Sequence, residues 1–166
     1  MSNVDLVVLG GGSGGYAAAL RSAQLGLSVV LIEADKLGGT CLHRGCIPTK
    51  ALLHAGEVAD TTRESSQFGI NSTLNSIDMN GVNSYKDGVI TKLHKGLQGL
   101  VKSRGITYVE GYGKLVSKDT VEVNGVRVAI SPCGVEIVPA RARDFSGACE
   151  ISKVNPLPDG NALILI

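Results

Sequence analysis

Cys41 and Cys46, with four residues between them, are the most reactive pairing the sequence offers. Such a pair can be a structural staple, a metal site or an electron carrier. As a staple, a disulfide closing so short a loop stabilises by only about 2 kcal/mol in the chain-entropy picture, and an intracellular thiol pool tends to open an exposed one. A zinc site would need further ligands, and His43 and His54 are near in sequence. The C-x-x-x-x-C spacing nevertheless lies at the edge of common zinc patterns, and no second Cys or His pair repeats it. Cycling between disulfide and dithiol is the better reading. Gly45 and Pro48 bracket Cys46, and helical structure is predicted to begin near them and run toward Val58. That would place Cys46 beside a positive helix terminus, where a thiolate is favoured.

A second chemistry-bearing pattern lies upstream. Gly10, Gly12 and Gly15 fill G-x-G-x-x-G, one glycine for a tight turn, one leaving room for a pyrophosphate and one for close contact of helix with strand. The elements around it are in the required order: a buried strand over residues 5–9, a helix over 16–25 ended by Gly26, and a second strand over 27–33. The helix N-terminus would face the phosphates without needing a basic side chain. Glu33, eighteen residues after Gly15, stands where an acid can accept hydrogen bonds from an adenosine ribose. The pattern predicts dinucleotide binding but does not separate FAD from NAD.

Further along, Tyr85, Val89, Leu93, Leu97 and Val101 recur every four residues, which predicts an amphipathic helix packed on the core. Residues 106–110 read as a parallel strand returning after it. Residues 120–123 and 126–130, joined at Asn124-Gly125, read as a β-hairpin. The fold expected is α/β: a Rossmann-like domain with a mainly parallel sheet and a small β meander.

Composition narrows the partners. With 43% hydrophobic and 19% charged residues the chain is globular in character. A net charge of +1 with Lys and Arg spread along the sequence gives no stripe suited to nucleic acid or an anionic membrane. Residues 1–5 carry no basic leader, and the apolar run 6–9 is too short for a signal or a membrane span, so a cytoplasmic location is expected. The 166 residues leave room for one domain and a tail, not for two nucleotide-binding domains.

Residues 38–53, which include Gly38-Gly39-Thr40-Cys41 and Gly45-Cys46-Ile47-Pro48-Thr49-Lys50, follow that glycine fingerprint and resemble the flavoprotein disulfide reductases. Residues 45–54 look most like the dihydrolipoamide-oxidising branch of that family, and the resemblance covers about residues 3–128. It implies FAD, with NAD expected only for a full-length enzyme. Gly10, Gly12 and Gly15 would hold the pyrophosphate, Glu33 the adenosine ribose, and Gly38, Gly39 and Thr40 would line the cofactor. Cys41 would be the thiol that meets dihydrolipoamide and Cys46 the thiol beside the flavin. Lys50 would approach flavin N5, and Gly113 would let backbone touch the adenine end. The resemblance also implies a lipoyl domain of a 2-oxoacid dehydrogenase complex as partner, and a homodimer. Two departures stand out: Ser13 replaces a proline frequent in the glycine turn, and His43-Arg44 stand where Asn and a small residue are common, with no role assignable from sequence. A disulfide reductase of another specificity and a non-catalytic FAD-binding module are the alternatives.

The resemblance fades near residue 130, dividing the chain into an FAD-binding domain with the redox disulfide (1–130) and an atypical tail (131–166). The tail carries Cys133, Cys149 and four prolines, Pro132, Pro139, Pro156 and Pro158, and ends on the apolar run 162–166. A frameshift or premature end in a longer reading frame is one expectation, and a short flavin-binding module with its own final strand is the other. Neither a second glycine fingerprint nor an interface domain is found in these residues, so full turnover is not expected of the chain alone.

Overall fold

Successive residues of a strand point to opposite faces of its sheet, and two short apolar strands, covered on both sides, organise the core. In the computed structural model, which describes residues 3–117, 119–130, 137–139 and 163–165, these strands are β2 (Leu6–Leu9) and β3 (Val29–Glu33). They pair in parallel, Leu6 opposite Val29 and Leu9 opposite Ile32. The connection between them is α1 (Ser13–Gln24). The helix starts at Ser13 rather than Tyr16, because the Tyr16 N–H already donates to the Gly12 carbonyl oxygen (3.0 Å) and so draws the end of the glycine run into the first turn. Gly26, at φ +87°, lies just past the other end.

The chain divides into two units. The first is Met1–Gly39 with Leu97–Ile166. In it β4 (Thr107–Glu110) pairs parallel to β3, and β8 (Ile137–Pro139) and β9 (Leu163–Leu165) extend the parallel sheet beyond β2 in the order β4-β3-β2-β9-β8. Leu6, Val8, Val29 and Leu31 join Ala19 of α1, Leu37, Val101 and Ile106 in one buried cluster. The alternate residues Val7, Val30 and Ile32 join Val121, Val123, Val128 and Ile130 in a second. The latter four come from an antiparallel meander of β5 (Lys114–Ser117), β6 (Thr120–Val123) and β7 (Val126–Ile130). Its hairpin turns at Asn124 (φ 51°) and Gly125 (φ 76°), the two left-handed positions that an Asn-Gly turn supplies. The expected α/β class, with a parallel sheet and a β meander, is therefore present.

The chain passes from one sheet to the other at a single residue. β1 (Asn3–Val4) pairs parallel with Ala129 and Ile130 of β7, and one residue later the chain enters β2 of the other sheet. Asp5 marks the crossing. Its N–H donates to Ser28 Oγ (2.9 Å), while its Oδ2 accepts from Ser28 N (2.8 Å) and Ser28 Oγ (2.6 Å). The Ser28 hydroxyl, and next its backbone N–H, hold the Asp5 carboxyl below its ordinary value of 3.8 against a small opposing effect of burial.

The second unit is Thr40–Gly96. It contains most of α2 (Gly39–His43), all of α3 (Cys46–Arg63), a 3-10 turn (Ser65–Phe68) and the larger part of α4 (Met79–Ser103). α4 begins six residues ahead of Tyr85 because Asp78 caps it, with Oδ1 accepting from Asn80 N (2.9 Å) and the carbonyl from Val82 N (3.0 Å). The expected core packing of this helix holds only at its C-terminal end. Val101 is buried and Leu97 packs against the first cluster, whereas Tyr85 and Leu93 are 46% and 44% exposed. Its last turns alone belong to the unit that owns the sheet. Among the described residues no helix is long and apolar enough to cross a membrane. The expectations for the tail rest mostly on residues outside those described, including Cys133 and Cys149.

Candidate functional site

The glycine turn grows directly out of β2. Gly10 takes φ +100° and donates its N–H to the Ile32 carbonyl (2.8 Å), which holds the start of the turn against the end of β3. A Cβ on Gly15 would run into the Gly10 carbonyl oxygen, so this glycine is demanded by the close passage of α1 over the turn. Gly12 differs: a Cβ there would meet nothing within 4 Å. Among the described residues no neighbour crowds that position. It is the N-cap of α1, with no side-chain cap and no acidic residue in the first turn, so the helix presents amide groups suited to an anion.

Glu33 is knitted into the same turn. Its Oε2 accepts from Gly11 N (2.6 Å), its Oε1 from Asp35 N (2.8 Å), and its carbonyl from Gly111 N (2.9 Å). Each carboxylate oxygen keeps a further lone pair. Gly38 (φ +107°) and Gly39 (φ +59°) return along the turn: Gly38 N donates to Gly11 O (2.8 Å), and a Cβ on Gly39 would lie 2.8 Å from Gly12 Cα. Gly10, Gly12, Gly15, Glu33, Gly38 and Gly39 are thus gathered around one turn. Gly113 is accounted for by packing, since a Cβ there would sit 2.5 Å from Leu9 Cδ2 and 3.2 Å from Ile32 Cγ2. Tyr108, on β4, has its hydroxyl pushed above the ordinary value of 10.0, chiefly by burial and then by the charges of Glu110 and Glu33, partly offset by a hydrogen bond with the Leu37 backbone.

In the second unit Cys41 and Cys46 form a disulfide, their Cα atoms 4.7 Å apart. Cys41 is half-buried in α2 and Cys46 is exposed as the first residue of α3. Gly45 is the N-cap of α3, and its carbonyl accepts from Thr49 N (3.1 Å) and Thr49 Oγ1 (2.8 Å). The helix start expected beside Cys46 is therefore present, though the helix runs five residues past Val58 to Arg63. Lys50, exposed, follows Cys46 by one turn on the same face. Thr40 is exposed, and its carbonyl accepts from Arg44 N (2.8 Å). His54 Nδ1 lies 3.2 Å from Glu57 Oε2, and the His43 ring sits edge-on to that of His94. Among the described residues no three His, Cys, Asp or Glu side chains group to hold a metal.

Three participants escaped the sequence reading. Gly11 is the residue Glu33 bonds to, Gly111 fixes the Glu33 backbone, and His94 meets His43. Only Gly11 had a signal, its place inside the fingerprint. The other two contacts depend on tertiary arrangement.

Comparison with known proteins follows the same residues. The family described as pyridine nucleotide-disulphide oxidoreductase matches residues 4–132. The chain is 46% identical over 122 residues to dihydrolipoyl dehydrogenase 2 of Haloarcula marismortui, covering 74% of this chain and 26% of that one. It is 49% identical over 112 residues to dihydrolipoyl dehydrogenase of Bacillus subtilis, with 68% and 24% covered. It is 44% identical over 124 residues to leghemoglobin reductase of Vigna unguiculata, with 74% and 24% covered. The chain thus spans about a quarter of the length of the curated relatives it matches.

Proposed function

The chain belongs to the pyridine nucleotide-disulphide oxidoreductase family, and we propose that its residues supply the FAD cradle and the redox-active disulfide of a dihydrolipoyl dehydrogenase reaction. The observation that carries this reading is the Cys41–Cys46 disulfide, which joins α2 to the first residue of α3 and follows shortly after a glycine turn.

The residues fit FAD. Gly12 is open where a pyrophosphate would lie, beside an uncapped helix start, and Gly10 and Gly15 shape the turn around it. Glu33 retains acceptor capacity for an adenosine ribose, and Gly38, Gly39 and Thr40 would line the cofactor. Gly113 would take the adenine end and Lys50 the flavin end, its ammonium suiting negative charge there. Bound FAD would supply a two-electron acceptor for the reduced cysteine pair.

The chain's own chemistry is thiol–disulfide exchange. A dihydrolipoamide thiolate attacks Cys41 Sγ, the bond to Cys46 breaks, and Cys46 leaves as a thiolate that the positive start of α3 stabilises. The second substrate thiolate then displaces Cys41, closing the lipoamide disulfide. Two electrons have passed to the cysteine pair. Formation of NADH needs a nicotinamide site, and the single glycine fingerprint in residues 1–166 is allotted to FAD, so full turnover is not expected of these residues alone. A lipoyl domain of a 2-oxoacid dehydrogenase complex is the proposed partner, homodimerisation the proposed assembly and the cytoplasm the proposed location. The likeness to leghemoglobin reductase supports a second reading, a reductase of the same family with another acceptor.

The test is to reconstitute the chain with FAD, record the visible spectrum, and add dihydrolipoamide without oxygen. Loss of the flavin absorbance, abolished in Cys46→Ser, is expected. A chain that binds NAD tightly and ignores FAD would overturn the reading.

A further inference from the structure

The loop that carries the disulfide is closed on itself and anchored by a ring. Arg44 N donates to the Thr40 carbonyl (2.8 Å), and Gly45 lies so near α2 that a Cβ there would be 3.2 Å from Thr40 O and 3.5 Å from Cys41 Cα. His43 ends α2. Its ring meets that of His94 edge-on, with centroids 4.8 Å apart and planes at 79°. Both rings are half-buried, and His94 belongs to the 25-residue helix α4. A five-residue helix has little stability of its own, so what holds its end is what fixes Cys41 relative to Cys46.

Resting on the redox reading of the cysteine pair, we infer that His94 is a positioning residue for the Cys41–Cys46 couple, acting through the edge-on contact with His43. A disulfide tolerates a narrow range of Cα separations, roughly 4.4–6.8 Å. The pair sits at 4.7 Å, near the short limit. With the ring contact gone, the end of α2 samples wider separations in the dithiol form, each thiol sees its partner at lower effective concentration, and the disulfide is more easily reduced.

Glutathione reads this equilibrium. One glutathione thiolate attacks a cysteine sulfur, the Cys41–Cys46 bond breaks and the other cysteine leaves as thiolate. A second glutathione thiolate then releases glutathione disulfide, and two electrons and two protons have entered the pair. The chain and its variants His94→Ala, His94→Phe, His43→Ala and the double alanine variant would be equilibrated in glutathione buffers at one pH. Alkylation and mass mapping then give the dithiol fraction. Loss of an edge-on ring pair is expected to favour the dithiol by roughly threefold to tenfold, tenfold being about 30 mV for a two-electron couple. His94→Phe, which keeps an aromatic edge, should restore the wild-type equilibrium, and the double variant should be no more reducible than either single one. His94→Ala should lower the melting temperature of the disulfide form more than that of the dithiol form, the difference matching the shift in the redox equilibrium. A His94→Ala variant with lower melting temperatures in both redox forms and an unmoved equilibrium would overturn the inference, as would His94→Phe behaving like His94→Ala. Should the wild-type pair fail to exchange with glutathione at all, the redox reading of the site fails first.

Discussion

The Glu33 carboxylate and the Gly11 amide are joined by a 2.6 Å hydrogen bond across twenty-two residues, so the acid at the end of β3 braces the glycine turn at the end of β2. Hydrogen bonds to a charged acceptor contribute about 1.5–3 kcal/mol. Glu33→Ala leaves the Gly11 and Asp35 amides without this acceptor. It should destabilise the FAD-free chain by about that amount and also weaken FAD retention. Urea unfolding without cofactor, paired with flavin titration, measures both, and an unchanged unfolding midpoint would contradict the bracing role.

Gly12 and Gly15 should respond differently to the same added methyl group. Gly15→Ala drives a Cβ into the Gly10 carbonyl oxygen and should destabilise the free chain by about 1–3 kcal/mol, the usual range for overpacking. Gly12→Ala meets nothing among the described residues and should cost the free chain no more than the roughly 0.5–1 kcal/mol of a poorer N-cap, yet lose FAD affinity, with Gly12→Val losing it completely. Equal retention of flavin by Gly12→Ala and wild type would remove the pyrophosphate from this position.

Cys41 and Cys46 should appear together as alkylatable thiols on mild reduction and vanish together on reoxidation, with no metal released. Mass mapping before and after reduction decides this. Stoichiometric zinc lost on alkylation of the pair would instead support a metal site.

Tyr108 should ionise above the ordinary tyrosine range. Its hydroxyl is held above 10.0 in the folded chain, so the stability it contributes is fully present below the unfolded value and is lost as pH rises past that value through the folded one. Ultraviolet titration of phenolate formation should show a late phase absent in Tyr108→Phe, and that variant should lose less stability between neutral and strongly alkaline pH. A late phase that survives the substitution belongs to another tyrosine.

Gly88 and Gly96 lie inside α4, and a Cβ at either would meet nothing within 4 Å. Alanine there should stabilise by up to about 1 kcal/mol each through helix propensity, or roughly 2–4 °C per kcal/mol for a chain of this size. Thermal melting of Gly88→Ala, Gly96→Ala and the pair reads this directly. A fall in melting temperature would mean that these glycines are kept for a close approach.

What the sequence made legible is what depends on near neighbours. The hairpin at Asn124-Gly125 matches its strands residue for residue, because two left-handed positions in a row admit few residue types. The glycine fingerprint and the Cys46 helix start are similarly local. The rest needed partners remote in sequence. The stripe of Tyr85, Val89 and Leu93 announces an amphipathic helix but not what covers it, and only Leu97 and Val101 reach the sheet cluster. Gly113 illustrates the opposite difficulty: it reads as a ligand contact, while Leu9 and Ile32 already require its missing side chain.

The passage of the chain from β1 to β2 at Asp5 sets an order of assembly. β2 needs only the segment up to Glu33 to pair with β3, whereas Asn3 cannot find Ala129 until nearly the whole hairpin has been made. Closing so long a loop carries an entropy cost that grows slowly with length but delays the contact. During synthesis on a ribosome Asn3 and Val4 therefore stay unpaired while the βαβ unit that follows them is already folding. Closure of β1 onto β7 becomes the latch that fastens the meander to the parallel sheet, and chaperone capture or proteolytic nicking of the nascent chain should concentrate around β1 until the latch is set.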